Sequence, residues 1–98
     1  MAKKDVKKQK EGSRLLLFYG TECSHCHDMD PLVARLEKKT KLKVTRLEVW
    51  HDSKNAEILT KDDNGVCGGV PFFYNEKSKK HLCGAVPYAT LKAWALGK

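Results

Sequence analysis

The sequence predicts an α/β domain, a four-stranded mixed sheet with helices on its faces, in the order β-α-β-α-β-β-α. Three observations carry that expectation. Short apolar runs of strand length alternate with stretches whose apolar residues recur at intervals of three and four. Glycine, proline and Asp/Asn clusters stand between them as turns. Ninety-eight residues, 41% of them hydrophobic, suffice for one packed domain and not for two independently folded ones.

Each element follows in chain order. Arg14 to Tyr19 is aliphatic and aromatic enough for a strand buried on both faces, and Gly20-Thr21-Glu22 breaks it. From Ser24 the pattern turns helical, with Met29, Leu32, Val33 and Leu36 on one face. Pro31 lies inside and lacks the N–H that would bond back four residues, so a kink is expected there. Lys38, Lys39 and Lys41 suit the helix's carboxyl end, where cations complement the dipole. Lys43 to Trp50 reads as the second strand, with Leu47 and Val49 on one side. Asp52 or Ser53 can cap a helix over Asn55–Lys61, and Asp62-Asp63-Asn64-Gly65 ends it as a turn. Phe72-Phe73-Tyr74 forms a short strand, Asn75–Lys80 a polar turn, and His81-Leu82-Cys83 an edge strand closed by Gly84. Pro87 opens a last helix whose apolar face is Leu91, Trp94 and Ala95. Strand, helix, strand requires a right-handed parallel crossover, and the last two strands form a hairpin.

The charge is uneven. Residues 1–14 hold six basic side chains against Asp5 and Glu11, a net +4, which leaves +3 of the total +7 for residues 15–98. With only Met1, Ala2 and Val6 as aliphatic residues, the first stretch buries too little apolar surface to offset its ordering entropy. Residues 1–13 are therefore expected to be a flexible basic tail and residues 14–98 the domain. No aromatic residues alternate with those lysines to stack on bases, so the tail reads as solubilising and no nucleic-acid partner is expected. The longest apolar run, Leu15 to Tyr19, is far shorter than a membrane span or a secretory signal. The expectation is a monomer without a membrane partner, in the cytoplasm or in an organelle after loss of a leader.

Of four cysteines, Cys23 and Cys26 form a tight pair, while Cys67 and Cys83 stand 16 positions apart. Without an export signal, close cysteines more often do chemistry or bind metal than staple a fold. The segment Glu22-Cys23-Ser24-His25-Cys26-His27 falls where the first strand gives way to a helix. Cys23 at the N-cap would meet backbone N–H groups and the positive end of the helix dipole, a setting that stabilises thiolates. A spacing of three brings both sulfurs to one side of the first turn. His25 between them can add positive charge or a hydrogen bond to the Cys23 thiolate, favouring the reduced form and making the disulfide more oxidising.

Three rival readings use the same residues. Cys23-x-x-Cys26-His27 satisfies the c-type haem attachment pattern, but the preceding strand fits a small helical cytochrome badly. A zinc module could combine Cys23 and Cys26 with two ligands from Cys67, Cys83, His25, His27, His51 or His81, yet no second tight pair appears. A structural disulfide without turnover fits the exposed, electropositive setting less well. No metal and no cofactor are expected.

Taken together, the first strand, Cys23-Ser24-His25-Cys26, a helix with Pro31 five positions on, and Val70-Pro71 opening a strand resemble the thioredoxin-like superfamily. Gly84 and Leu91-Lys92-Ala93-Trp94 match its closing strand and helix, and the resemblance covers roughly residues 14–97. The length is closer to the minimal glutaredoxin-like core. The resemblance implies a thiol–disulfide oxidoreductase: Cys23 the nucleophile, Cys26 the resolving thiol, and Val70-Pro71 a cis bond beside them. It implies substrate contacts at Ser24, Val70 and Pro71, the Val70 backbone pairing with an extended segment. The implied partners are disulfide-containing protein substrates and a recycling system of thioredoxin-reductase or glutathione type. A non-catalytic adaptor on the same fold is the remaining alternative. The chain departs from the family in carrying Glu22 where tryptophan is usual, Leu17 where a buried aspartate is usual, and Val70 where glutaredoxins have threonine.

Other residues read plainly. Cys67 and Cys83 are expected as buried or half-buried free thiols, with a regulatory thiol or a second pair as alternatives. Trp50 and Trp94 are expected in the core or at its edge, and His27, His51 and His81 on the surface. Lys77-Ser78-Lys79-Lys80 is a charged hairpin tip that protects an edge strand.

Overall fold

The computed structural model describes residues 15–98; the predicted tail, residues 1–13, and Arg14 lie outside them. The elements are β1 (Leu15–Tyr19), α1 (Ser24–Thr40), β2 (Val44–Glu48), α2 (Ser53–Asp63), β3 (Phe72–Asn75), β4 (Lys80–Cys83) and α3 (Tyr88–Ala95). The strand order is β2-β1-β3-β4. β1 pairs in parallel with β2, Leu15 opposite Val44 and Tyr19 opposite Glu48. β3 runs antiparallel to β1 and forms a hairpin with β4, in which Phe72 faces Cys83. This is the predicted four-stranded mixed α/β sheet in the predicted element order.

The central strand decides the layering. Because side chains alternate across a strand, the apolar run of β1 feeds two cores. Leu15 and Leu17 pack with Phe73, with Met29, Val33 and Leu36 of α1, and with Leu91, Trp94 and Ala95 of α3. Leu16 and Phe18 pack with Val49 and Phe72, beside Ala56 and Leu59 of α2. Phe18 and Phe73 are wholly inaccessible, and burial of such a ring contributes about 1.5–3 kcal/mol. The helix ends follow side-chain chemistry. Asp52 caps α2, accepting from the N–H groups of Lys54 and Asn55 at 3.0 and 3.1 Å. α1 runs unbroken through Pro31 and ends at Lys41 in the left-handed region, φ 66°. No described helix is long and apolar enough to cross a membrane.

Two expectations need correcting here. β2 stops at Glu48, so Trp50 falls beyond the sheet and is 52% exposed instead of lying in the core. Its ring covers the backbone of Gly20, where a Cβ would collide with it. The helix expected over Asn55–Lys61 is longer at both ends, since its cap already sits at Asp52.

Candidate active site

The cysteine pair is built by the exit from β1. The N–H of Cys23 donates to the Gly20 carbonyl at 3.0 Å, closing a turn that sets Cys23 as N-cap of α1 with extended φ/ψ of −83° and 113°. In that conformation the Cys23 sulfur bends back over the helix start and accepts from the N–H of Cys26 at 3.3 Å. Cys26 lies one turn inside, 3% exposed, and Cys23 is 8% exposed; both are free thiols. Burial, and next the hydrogen bond with Cys23, push the Cys26 thiol up to about 12.

Val70 and Pro71 close the site from the other side. The Val70–Pro71 peptide is cis, Pro71 is buried, and the Cys23 sulfur lies 4.0 Å from the Val70 carbonyl oxygen. The Pro71 carbonyl accepts from the N–H of Gly84 at 2.8 Å, which joins this turn to the end of β4. Val70 also lines a groove of about 430 Å³ with Val49, Trp50, Ala56 and Leu59. The two histidines of the motif point outward. His25 is exposed and its Nδ1 lies 3.9 Å from Asp28, its partner in place of Cys23. Ser24, the first residue of α1, is exposed as well. His27 Nε2 meets the Thr21 carbonyl at 2.6 Å, and that bond raises its pKa above the ordinary histidine value.

A second set of residues holds the loop before Cys23, and the sequence reading had no pattern for it. Glu48 Oε2 accepts from both the N–H and the hydroxyl of Thr21, at 2.9 and 3.1 Å, while Oε1 accepts from the His51 N–H at 2.7 Å. Desolvation works against ionisation of Glu48, but these donors outweigh it and its pKa is lowered. His51 Nε2 in turn lies 2.8 Å from Glu22, whose hydrogen bond and charge raise the histidine's pKa. The signal lay in the β1–β2 register: Tyr19 opposite Glu48 sets the end of β2 beside the loop that leaves β1.

Cys67 and Cys83, expected as free thiols, are joined in a disulfide with a Cα–Cα distance of 5.7 Å. The reason is local. Asp63, buried at the end of α2, accepts from the N–H groups of Cys67 and Gly68 at 2.6 and 2.8 Å. It thereby fixes the loop at Cys67, and the β3–β4 hairpin carries Cys83 toward it. The described residues that could jointly hold a metal ion are Cys67, His81 and Cys83 in one cluster and Glu22, Glu48 and His51 in another. Neither cluster includes Cys23 or Cys26, so the four-ligand zinc arrangement weighed above is not assembled.

A sheet of this topology, with a cysteine pair at the mouth of its first helix and a cis-proline turn against it, defines a dithiol protein of the α/β sandwich class. The chain belongs to the thioredoxin family: the Thioredoxin family model matches residues 2–96. No curated protein matches the chain.

Proposed function

We propose that this protein is a thiol–disulfide oxidoreductase in which Cys23 attacks and Cys26 resolves. The observation that carries the reading is the asymmetry of the pair. Cys23 sits at a helix N-cap with an N–H aimed at its sulfur, the arrangement an anionic sulfur needs, while Cys26 is kept as a thiol. The Cys23 thiolate attacks one sulfur of a substrate disulfide, and the other sulfur leaves as a thiolate. Cys26 then gives up its proton and attacks Cys23, releasing the second substrate thiol and leaving a 23–26 disulfide. A reductant of dithiol or glutathione type restores the pair; run backwards, the sequence oxidises dithiols.

The Val70 carbonyl, 4.0 Å from the attacking sulfur, is suited to align an extended substrate strand across the pair. The exposed Ser24 borders that path. His25, exposed on the first turn with its Nδ1 3.9 Å from Asp28, borders the pair without touching Cys23. The test is insulin reduction driven by dithiothreitol. The parent is expected to accelerate precipitation, Cys23→Ser to abolish the acceleration, and Cys26→Ser to accumulate a mixed disulfide with the substrate. Parental activity in Cys23→Ser would end the proposal.

A further inference from the structure

Away from the cysteine pair, the sulfurs of Cys67 and Cys83 and a ring nitrogen of His81 lie within 4.8 Å of one another. Two separate elements position them. Cys67 is fixed by the two hydrogen bonds its loop makes to buried Asp63. Cys83 ends β4, and His81, two residues earlier, shares its face of that strand. The His81 ring rests against Phe72, with centroids 5.8 Å apart. His81 and Cys83 are exposed and Cys67 is half-buried, so a solvated ion can reach all three.

We propose that these three residues form a redox-gated zinc site: the reduced protein holds Zn²⁺ on Cys67, His81 and Cys83, and formation of the 67–83 disulfide ejects it. The chemistry fits the ligand set. Soft thiolates and a borderline imidazole suit the borderline-soft Zn²⁺, and a tetrahedral ion keeps a fourth position for water. With Zn–S near 2.3 Å, a tetrahedral ion sets its two sulfurs roughly 3.8 Å apart, so the sulfurs, bonded to each other in the structure, part on reduction to make room for it. Reduction therefore needs only side-chain rotation to admit the ion, while the backbone, with Cα atoms 5.7 Å apart, keeps its place. In the oxidised form both sulfurs have lost the charge that binds metal. The exchange balances with a low-molecular-weight disulfide as oxidant. The two zinc-bound thiolates give up two electrons and form the S–S bond. The incoming disulfide takes those electrons and two protons and leaves as two thiols, and Zn²⁺ enters water. In either state the loop that carries Val70 stays fastened to β4, by a covalent bond or through the ion.

The experiment uses the full chain with Cys23→Ser and Cys26→Ser, so that it does not depend on the proposed catalytic pair. After reduction under anaerobic conditions, Zn²⁺ is titrated against a chromophoric chelator, and Co²⁺ is used as a spectroscopic stand-in. The expected result is one zinc per chain, a tetrahedral cobalt spectrum with a thiolate charge-transfer band, and release of the zinc when oxidised glutathione is added. His81→Phe keeps a ring against Phe72 and should weaken zinc at least about tenfold, the loss that even outer-shell changes cause; His81→Cys should restore it. The proposal is overturned by reduced protein that takes up no stoichiometric zinc, by an affinity that His81→Phe leaves unchanged, or by a far-UV spectrum showing that the reduced chain does not fold with zinc present.

Discussion

Cys26 is held as a thiol because it lies a turn inside the helix. Burial is the first reason that Cys26 is pushed up to about 12, and the hydrogen bond with Cys23 is the second. Leu17, where the family resemblance leads one to look for a carboxylate, packs among Met29 and Val33 and offers no base. The second step of the proposed cycle is therefore limited by the ionised fraction of Cys26. Stopped-flow measurement of mixed-disulfide resolution should show a rate rising about tenfold per pH unit from neutral to mildly alkaline conditions. A flat profile would mean that another group takes the proton. The loop before Cys23 carries its own titration. Glu22 first, then Glu48, favours protonated His51, so the His51–Glu22 tether is complete below about 6.5 and is lost as pH rises through the raised value. NMR titration of His51 should give a midpoint above that reference, falling back toward it in Glu22→Gln.

At the scale of elements, what the sequence disclosed was periodicity and capping. The alternation in β1, the apolar face of α1 and the Asp52 cap are local facts, carried by residues within a few positions of each other. So was the cysteine pair, because a strand end followed by a helix start fixes both sulfurs without help from distant chain. The roles of Glu48, Asp63 and Cys67 were illegible for the opposite reason. Each depends on a loop meeting residues from another element, and a carboxylate at the end of a strand or helix has no periodic signature. Trp50 was misjudged because hydrophobicity favours burial, whereas the sheet ended two residues too early to cover it. Asp63 yields a test at this scale. Asp63→Ala removes the acceptor of two loop N–H groups and should cost about 1.5–3 kcal/mol in urea unfolding, while α2 itself persists in the far-UV spectrum. Glu37 joins α1 to β2 in a similar way. Burial opposes its ionisation, yet the N–H of Val44 and then Arg46 outweigh it and lower its pKa. Its contribution is present above about 4.3 and fades as pH falls through the lowered value. Glu37→Gln should accordingly flatten the acid limb of the stability curve.

Across the whole molecule, β1 is covered on both faces, and the proposed dithiol site gathers at one end of it. The pair at the start of α1, the Glu48–His51 network after β2 and the Val70–Pro71 turn before β3 all meet where β1 ends. The loop bearing Val70 comes from outside the sheet and has little apolar surface of its own; Val66 within it is 60% exposed. Its position rests on the Asp63 carboxylate, the 67–83 bond, the Pro71–Gly84 hydrogen bond and the packing of Val70 against the Phe72 cluster. That bond spans 16 residues, and in the chain-entropy account closing a loop of that size stabilises the fold by about 3 kcal/mol. Against a total of roughly 5–15 kcal/mol for a small domain, such a loss is large. Cys67→Ser/Cys83→Ser should lower the urea midpoint markedly under non-reducing conditions, and serine leaves no sizeable cavity at these exposed or half-buried positions. The same variant, assayed where it is still folded, should show a raised KM for a protein disulfide with kcat little changed, because the loop that aligns substrate is loosened while Cys23 and Cys26 keep their places on α1. An unaltered KM beside a lowered midpoint would confine the bond to stability and leave Val70 positioned by Asp63, the Pro71–Gly84 hydrogen bond and its own packing.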